Sequence, residues 1–331
     1  MGGSENGPQG EILSSLSTDA QTSPAACKWL NQTMEKLAAL KARQPGGPAP
    51  IALAMPTSSV SLPQWPDAVR GVSNIALRSA LFGAIKKGPR PFLERQEVHS
   101  QKGIKIVYTG ARLDQGDLDV WETVLHIARS QPLGDECRVT AYKILQLLGK
   151  TDSGQNRDTL QRRLSRMKAT AIEVAIDVRD GVVSYEGSLI DDVTRKERTS
   201  QKSRDYVIRL NPKLSKLYAR NQFTHVDWCV RQALDGKPLA QWLHGFYASH
   251  AKPHPMNRST LLKMSGSENE DKHSAHQTLA KAFQALSKAS NEHEQPFSFT
   301  IIGESVAVVK TPSRSQRIHL AKKARAASNT V

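Results

Sequence analysis

The chain has 331 residues, enough for about two domains with substantial cores. Its 46 Lys and Arg against 31 Asp and Glu leave a formal charge of +15, which favours polyanionic partners, nucleic acid before anionic membrane. Membrane attachment drops out: no apolar run nears the length of a span, no cleavable signal opens the chain, and Asn6 stands where myristoylation uses Ser or Thr. Three widely separated cysteines, Cys27, Cys137 and Cys229, fit a reducing cytoplasm better than a disulfide framework.

Residues 1–64 read as a disordered tail and linker, with a Gly-rich start and six prolines from Pro45 to Pro66. Within them, residues 28–41 space Trp29 or Leu30, Met34, Leu37 and Ala38 at helical intervals, a short amphipathic helix that would order on a partner.

A first domain is expected over residues 65–210. Residues 75–85 (IALRSALFGAI) read as a helix, and residues 97–108 as a hairpin turning at Gln101-Lys102-Gly103. Residues 118–128 form a helix with Leu118, Trp121, Val124, Leu125 and Ala128 inward. Another helix over 139–149 places Tyr142, Leu145 and Leu148 on one face and stops at Gly149.

After a polar turn, Leu160, Leu164, Met167 and Ala171 stack on one face of a basic helix, leaving Arg157, Gln161, Arg162 and Arg166 outward. The period then changes to two at Ile172, Val174 and Ile176, followed by a turn at Asp180-Gly181 and a second β-rich run over 182–190. Helix, turn, basic helix and hairpin together outline a winged helix. Residues 191–204 carry charge without apolar periodicity and read as a basic loop, 205–210 as a strand and 213–218 as a link.

The same succession recurs in a second domain over residues 211–310. Leu239, Trp242, Leu243, Phe246 and Tyr247 make an amphipathic helix, residues 258–264 a short one, and Leu279, Ala282, Phe283 and Leu286 the buried stripe of a longer one. Lys272, His273, His276, Gln277 and Lys281 lie mostly off that stripe, and a hairpin turning at Gly303-Glu304 follows. Residues 311–331 form a basic tail with no acid, in which Arg314 and Arg317 are candidate phosphate contacts. The fold class is therefore α+β: two tandem winged-helix domains between a disordered N-terminal segment and a basic C-terminal tail.

Catalytic signatures do not assemble, so no enzyme, cofactor or metal is expected. Gly149-Lys150-Thr151 ends like a phosphate loop, but Ile144 stands where the first Gly belongs and the run follows a helix. His250 and His254 have no Cys pair and are crowded by Pro253 and Pro255. Asp117 with Asp119, and Asp191 with Asp192, lack the partners that phosphoryl chemistry needs.

Trp65-Pro66-Asp67 and the runs ALRSALF (76–82), IKIVYTG (104–110), LSRMKATA (164–171) and FYASH (246–250) closely resemble the TrfA replication initiators of broad-host-range plasmids, from residue 65 through the second hairpin. The resemblance implies two winged helices that bind direct repeats, the iterons, in double-stranded plasmid origin DNA. It also implies melting of adjacent AT-rich DNA and recruitment of host initiator, replicative helicase and sliding clamp. A monomer–dimer equilibrium follows from it as well, with dimer contacts in the first domain. The family's clamp-docking segment, Gln-Leu-Ser-Leu-Phe, corresponds here to Ser59, Val60, Ser61, Leu62 and Pro63, without the Gln and the terminal aromatic. On this reading Lys272, His273, His276, Gln277 and Lys281 enter one major groove and Asn156, Arg157, Gln161 and Arg162 the neighbouring one. The alternative class is a winged-helix repressor or partition-type DNA binder, and a third is a protein-binding scaffold with little salt-sensitive DNA affinity.

Overall fold

The computed structural model describes residues 60–86, 88–178, 181–198, 203–219 and 222–328, all within one compact unit, Ile51–Val331. The helical island at residues 28–41 and Asp180 of the expected turn lie outside the described residues.

The first strand, β1 (Val69–Ser73), runs into a single helical turn, α1 (Asn74–Leu77), and then a two-residue strand, β2 (Phe82–Gly83). The period over 75–85 suggests a longer helix. Ser79 explains the stop: its hydroxyl donates to Ile75 O at 2.6 Å and accepts from Leu81 N at 3.2 Å, replacing helical bonds with a local turn. The expected hairpin is present as β3 (Phe92–Glu97) and β4 (Ile104–Ala111), with Gly103 at φ 86° in the connection and a register shift between Leu93 and Gln96.

Strand β5 (Leu113–Asp114) pairs in parallel with β2 and feeds helix α2 (Gln115–Ala128). A reciprocal box starts this helix: Asp117 N donates to Asp114 Oδ1 at 2.8 Å and Asp114 N to Asp117 Oδ2 at 3.0 Å. Next come β6 (Glu136–Thr140) and α3 (Ala141–Leu147). Ala141, Ile144 and Leu145 are the buried residues of α3, whereas Tyr142, expected inward, is 57 % exposed.

Helix α4 (Gly154–Lys168) is capped by Ser153, whose hydroxyl accepts from Asn156 N at 3.2 Å. Leu160, Leu164 and Met167 form its buried stripe as expected; Ala171 instead opens β7 (Ala171–Val178) and is exposed. With β8 (Gly181–Gly187) the sheet runs β3-β4-β7-β8. The charged stretch expected as a loop at 191–204 is largely strand: β9 (Asp192–Arg198) pairs antiparallel with β10 (Ser203–Arg209), and β10 also pairs with β6. Tyr206 and Ile208, two apart and both buried, supply the inner face that a period of two demands. After a 3-10 turn at Pro212–Tyr218, β11 (Phe223–Asp227) returns to pair antiparallel with β1, Val69 opposite Asp227.

The second half contains α5 (Trp228–Ala233), α6 (Pro238–Ala248), β12 (Met256–Asn257), α7 (Arg258–Met264), α8 (Lys272–Glu292), β13 (Phe297–Ile302) and β14 (Ser305–Lys310), with sheet order β12-β14-β13. Its three later helices match the expected segments closely. The basic tail is helical, α9 (Arg314–Ser328), opened by Ser313 N donating to Gln316 Oε1 at 3.1 Å and Gln316 N to Ser313 Oγ at 3.3 Å.

Two apolar clusters result, one drawn from Leu62 to Val226 and one from Val230 to Val308. Polar contacts join them. Arg231 Nε lies 2.6 Å from Asp119 Oδ1 and 3.5 Å from Glu122 Oε2, while its Nη2 donates to Gln115 O at 3.2 Å. Arg78 Nε donates to Ser249 Oγ at 2.9 Å, Trp242 Nε1 to Ser79 O at 3.0 Å, and Arg112 Nη2 to Gly266 O at 2.6 Å. Gly245 allows α6 to approach closely, because a Cβ there would lie 2.7 Å from Leu77 Cδ2.

Candidate nucleic-acid interface

Helix α8 is positioned by its apolar stripe. Ala275, Leu279, Ala282, Phe283 and Leu286 are buried, with the Phe283 ring 5.8 Å from Tyr247 of α6 and 5.0 Å from Phe299 of β13. Asp271 caps the helix by accepting from Ser274 N at 2.6 Å. With that face fixed inward, Lys272, His273, Gln277 and Lys281 are exposed and His276 is half-buried. His273 Nε2 and Gln277 Nε2 lie 2.8 Å apart, one turn from each other.

The turn of the last hairpin reaches the same helix end. Glu304 stands 3.5 Å from Lys272 Nζ, 3.8 Å from His276 Nε2 and 3.4 Å from Arg258 Nη2. Against desolvation, which would raise it, the charges of Lys272, Arg258 and His276 hold the Glu304 carboxyl below its ordinary range. Cations and one carboxylate thus share a solvent-facing surface formed by α7, α8 and the β13–β14 turn. Arg258 and Glu304 were absent from the sequence-based set because nothing local in the sequence shows that turn meeting the helix.

On α4 the candidate side chains have partners within the fold. Asn156 Nδ2 donates to Thr151 O at 2.8 Å, and Arg157 grips Asp152 through Nε at 2.5 Å and Nη2 at 2.5 Å. Gln161 is half-buried, and exposed Arg162 donates to Thr159 Oγ1 at 3.2 Å. Arg166, expected outward, turns to the fully buried Asp117, its Nη1 2.7 Å from Oδ2, beside Arg163 at 3.0 Å from Oδ1. A buried carboxylate is costly unless paired, so these arginines serve the junction of α2 and α4. The outward set of α4 narrows accordingly.

Arg314 and Arg317 are exposed on α9, whose start is tied down by Gln316: its Nε2 donates to Ala248 O at 2.7 Å and its Oε1 accepts from Lys310 Nζ at 2.9 Å. The candidates therefore form three groups on three helices. Among the described residues, no group of three or more His, Cys, Asp and Glu gathers as a metal site, and no helix is long and apolar enough to cross a membrane.

A family model described as TrfA protein matches residues 51–293. The chain belongs to the TrfA family. It is 31% identical over 218 residues to the plasmid replication initiator protein TrfA of Escherichia coli, a match over 65% of this chain and 56% of that protein, which therefore extends well beyond the shared part. Two crystal structures of domains 2 and 3 of RctB align with TM-scores of 0.48 and 0.46, at 16% and 14% identity, over 70% and 72% of this chain and 97% of each of theirs.

The residues that carry the TrfA resemblance lie mostly away from the exposed candidate face. Trp65 is buried and its indole N–H donates to His126 Nδ1 at 3.1 Å, while Asp67 pairs with Arg129 at 2.5 Å. Burial, helped by the charges of Arg70 and Arg129, pushes His126 down to about 2, which keeps its ring neutral and Nδ1 an acceptor. Arg78 and Ser249, from two other shared runs, meet at the joint between the halves. These TrfA-like runs hold the fold together.

Proposed function

We propose that this chain initiates plasmid replication by binding direct repeats in double-stranded origin DNA through two winged helices. In the second, α8 is the reading helix and β13–β14 the wing; in the first, α4 lies in the neighbouring groove. The observation that carries the reading is the face at the start of α8, where Lys272, His273 and Gln277 are exposed, with half-buried His276 beside them, on a helix fixed by its buried stripe. Family membership and the charge of +15 support it. Gln and His there can reach base edges, while Lys272 and Lys281, with Arg314 and Arg317 on α9, hold phosphates. The joint through Arg231 keeps both helices on one body, so binding by one half makes the second contact effectively intramolecular.

The reading extends to opening of adjacent DNA and to recruitment of host initiator and helicase, with a monomer–dimer equilibrium. Clamp docking through residues 59–63 has an opposing feature: Leu62 is 3 % exposed and Val60 O accepts from Leu133 N at 2.7 Å, so residues 60–62 would have to peel away from the first core. The test is fluorescence anisotropy of the full chain on tandem direct repeats from its own plasmid and on a scrambled duplex of equal composition. Tight, repeat-selective binding that weakens with salt supports the reading, with each neutralised phosphate contributing about −0.9 to the slope of log affinity against log salt. Equal weak binding to both duplexes would overturn it.

A further inference from the structure

Glu304 is the lone acid between Gln295 and Val331, against six Lys and Arg in the same stretch, and the fold sets it at the start of α8. Its backbone is fixed from two sides. Ile302 and Ser305 pair across the two-residue turn, with Gly303 at φ 55°, and Asn257 of β12 pairs with Ser305 from the other side. The Glu304 carbonyl accepts from Arg258 N at 2.8 Å, which ties the turn to the start of α7. On the side chain, Oε1 takes Arg258 Nη2 at 3.4 Å and Lys272 Nζ at 3.5 Å. Among the described residues Oε2 has His276 Nε2 as its partner, and at 3.8 Å that is beyond hydrogen-bond reach. The Glu304 side chain is 46% exposed, so this second oxygen is open to a ligand.

Lys272 and His276 lie one turn apart on α8, on the row beside that of His273 and Gln277, so Glu304 borders the face assigned to base edges. Its chemistry there is restrictive. An ionised carboxylate can only accept, so it is repelled by phosphates and by the acceptor edge of guanine and the O4 of thymine. Adenine offers an amino donor beside its N7 acceptor, whereas cytosine offers its N4 amino group as the sole polar group in the major groove. We propose that Glu304 accepts from a cytosine N4 amino group in the direct repeat, and that it selects the site as much by excluding other edges as by that bond. Arg258 and Lys272 are its positioning residues: they hold Oε1 and leave Oε2 to the base. On arbitrary sequence the same carboxylate meets phosphates or acceptor edges and weakens binding.

This inference rests on the DNA-binding reading, and the assay separates the two. Anisotropy of the full chain is recorded for wild type, Glu304→Ala and Glu304→Gln on the direct-repeat duplex, on its scrambled counterpart, and on repeats in which each C·G pair in turn becomes T·A. One such replacement should weaken wild type roughly tenfold or more and Glu304→Ala hardly at all. Both variants should bind the scrambled duplex several-fold more tightly than wild type, because each removes the repelling charge; Glu304→Gln keeps the side chain's volume and so guards against a loss of fold. Matching scans for wild type and Glu304→Ala at every C·G pair, or scrambled-duplex binding that is unchanged or weaker in both variants, would overturn the inference and leave an ion pair that merely fastens the last turn to α8. A wild type with no preference for the repeats would remove the DNA-binding reading itself, and this inference with it.

Discussion

Replacing Arg231 with Met tests whether the two halves are locked together by buried charge. The guanidinium is 1 % exposed, contacts Asp119 and Glu122, and donates to the Gln115 and Gln241 carbonyls. Met retains much of the stem's volume, so the main loss is electrostatic. Breaking a buried pair on one side costs about 3–5 kcal/mol, because the partner charge stays behind. In a body of this size that corresponds to a fall in melting temperature of roughly 10 °C. The loss should depend on pH. Burial already lifts Glu122 to about 7 while the charge of Arg231 pulls it down, so removing Arg231 lifts it further. A carboxyl raised in the folded state is bound to its proton more tightly there than in the unfolded chain. Its contribution is therefore fully present below its unfolded value and is lost as pH rises through its folded value. In the variant Glu122 stays neutral to higher pH, so the penalty should be larger near about pH 8 than near about pH 6, by on the order of 1 kcal/mol. Urea unfolding followed by tryptophan fluorescence at both pH values measures this, and adding Glu122→Gln should recover part of the loss. A penalty under about 1 kcal/mol, or one equal at the two pH values, would refute the reasoning.

Gly245→Ala should destabilise by about 1 kcal/mol, reversing the usual gain from replacing a helical glycine, because the new methyl meets buried Leu77; thermal melts of the single variant and of its combination with Leu77→Ala measure the clash and its relief. Leu62→Ala should cost about 2 kcal/mol and make the chain more easily cleaved near residue 60 in limited proteolysis; unchanged cleavage and stability would show that the segment is not seated. Gln277→Ala should reduce preference for direct repeats over scrambled duplex by about 1–3 kcal/mol, whereas Arg314→Ala should weaken both duplexes alike; equal loss on both duplexes for Gln277→Ala would rule out base reading by that side chain.

Elements that answer only to local periodicity were legible in the sequence. The stripes of α4 and α8 and the three later helices follow directly from apolar spacing. Some local signals were present but outweighed by charge: the Ser313-to-Gln316 spacing marks the start of α9, and alternating Tyr206 and Ile208 mark β10. What periodicity could not supply was partnership at a distance. An arginine in an amphipathic helix looks solvated until a buried carboxylate from another element claims it, as Asp117 claims Arg166 and Glu122 faces Arg231. The same limit hid the cluster around Glu304, where Arg258 of α7 and Lys272 of α8 meet the turn of the last hairpin.

The pairing of β1 with β11 also bears on synthesis at the ribosome. Residues 69–73 emerge early, yet their sheet partner, 223–227, is made some 150 residues later. Until it leaves the exit tunnel, β1 has an open edge, and the loop that must close is long. The first half therefore cannot finish folding as an independent N-terminal module. Its completion waits for the connector into the second half, so a nascent chain stalled before that point offers chaperones and proteases an unpaired strand.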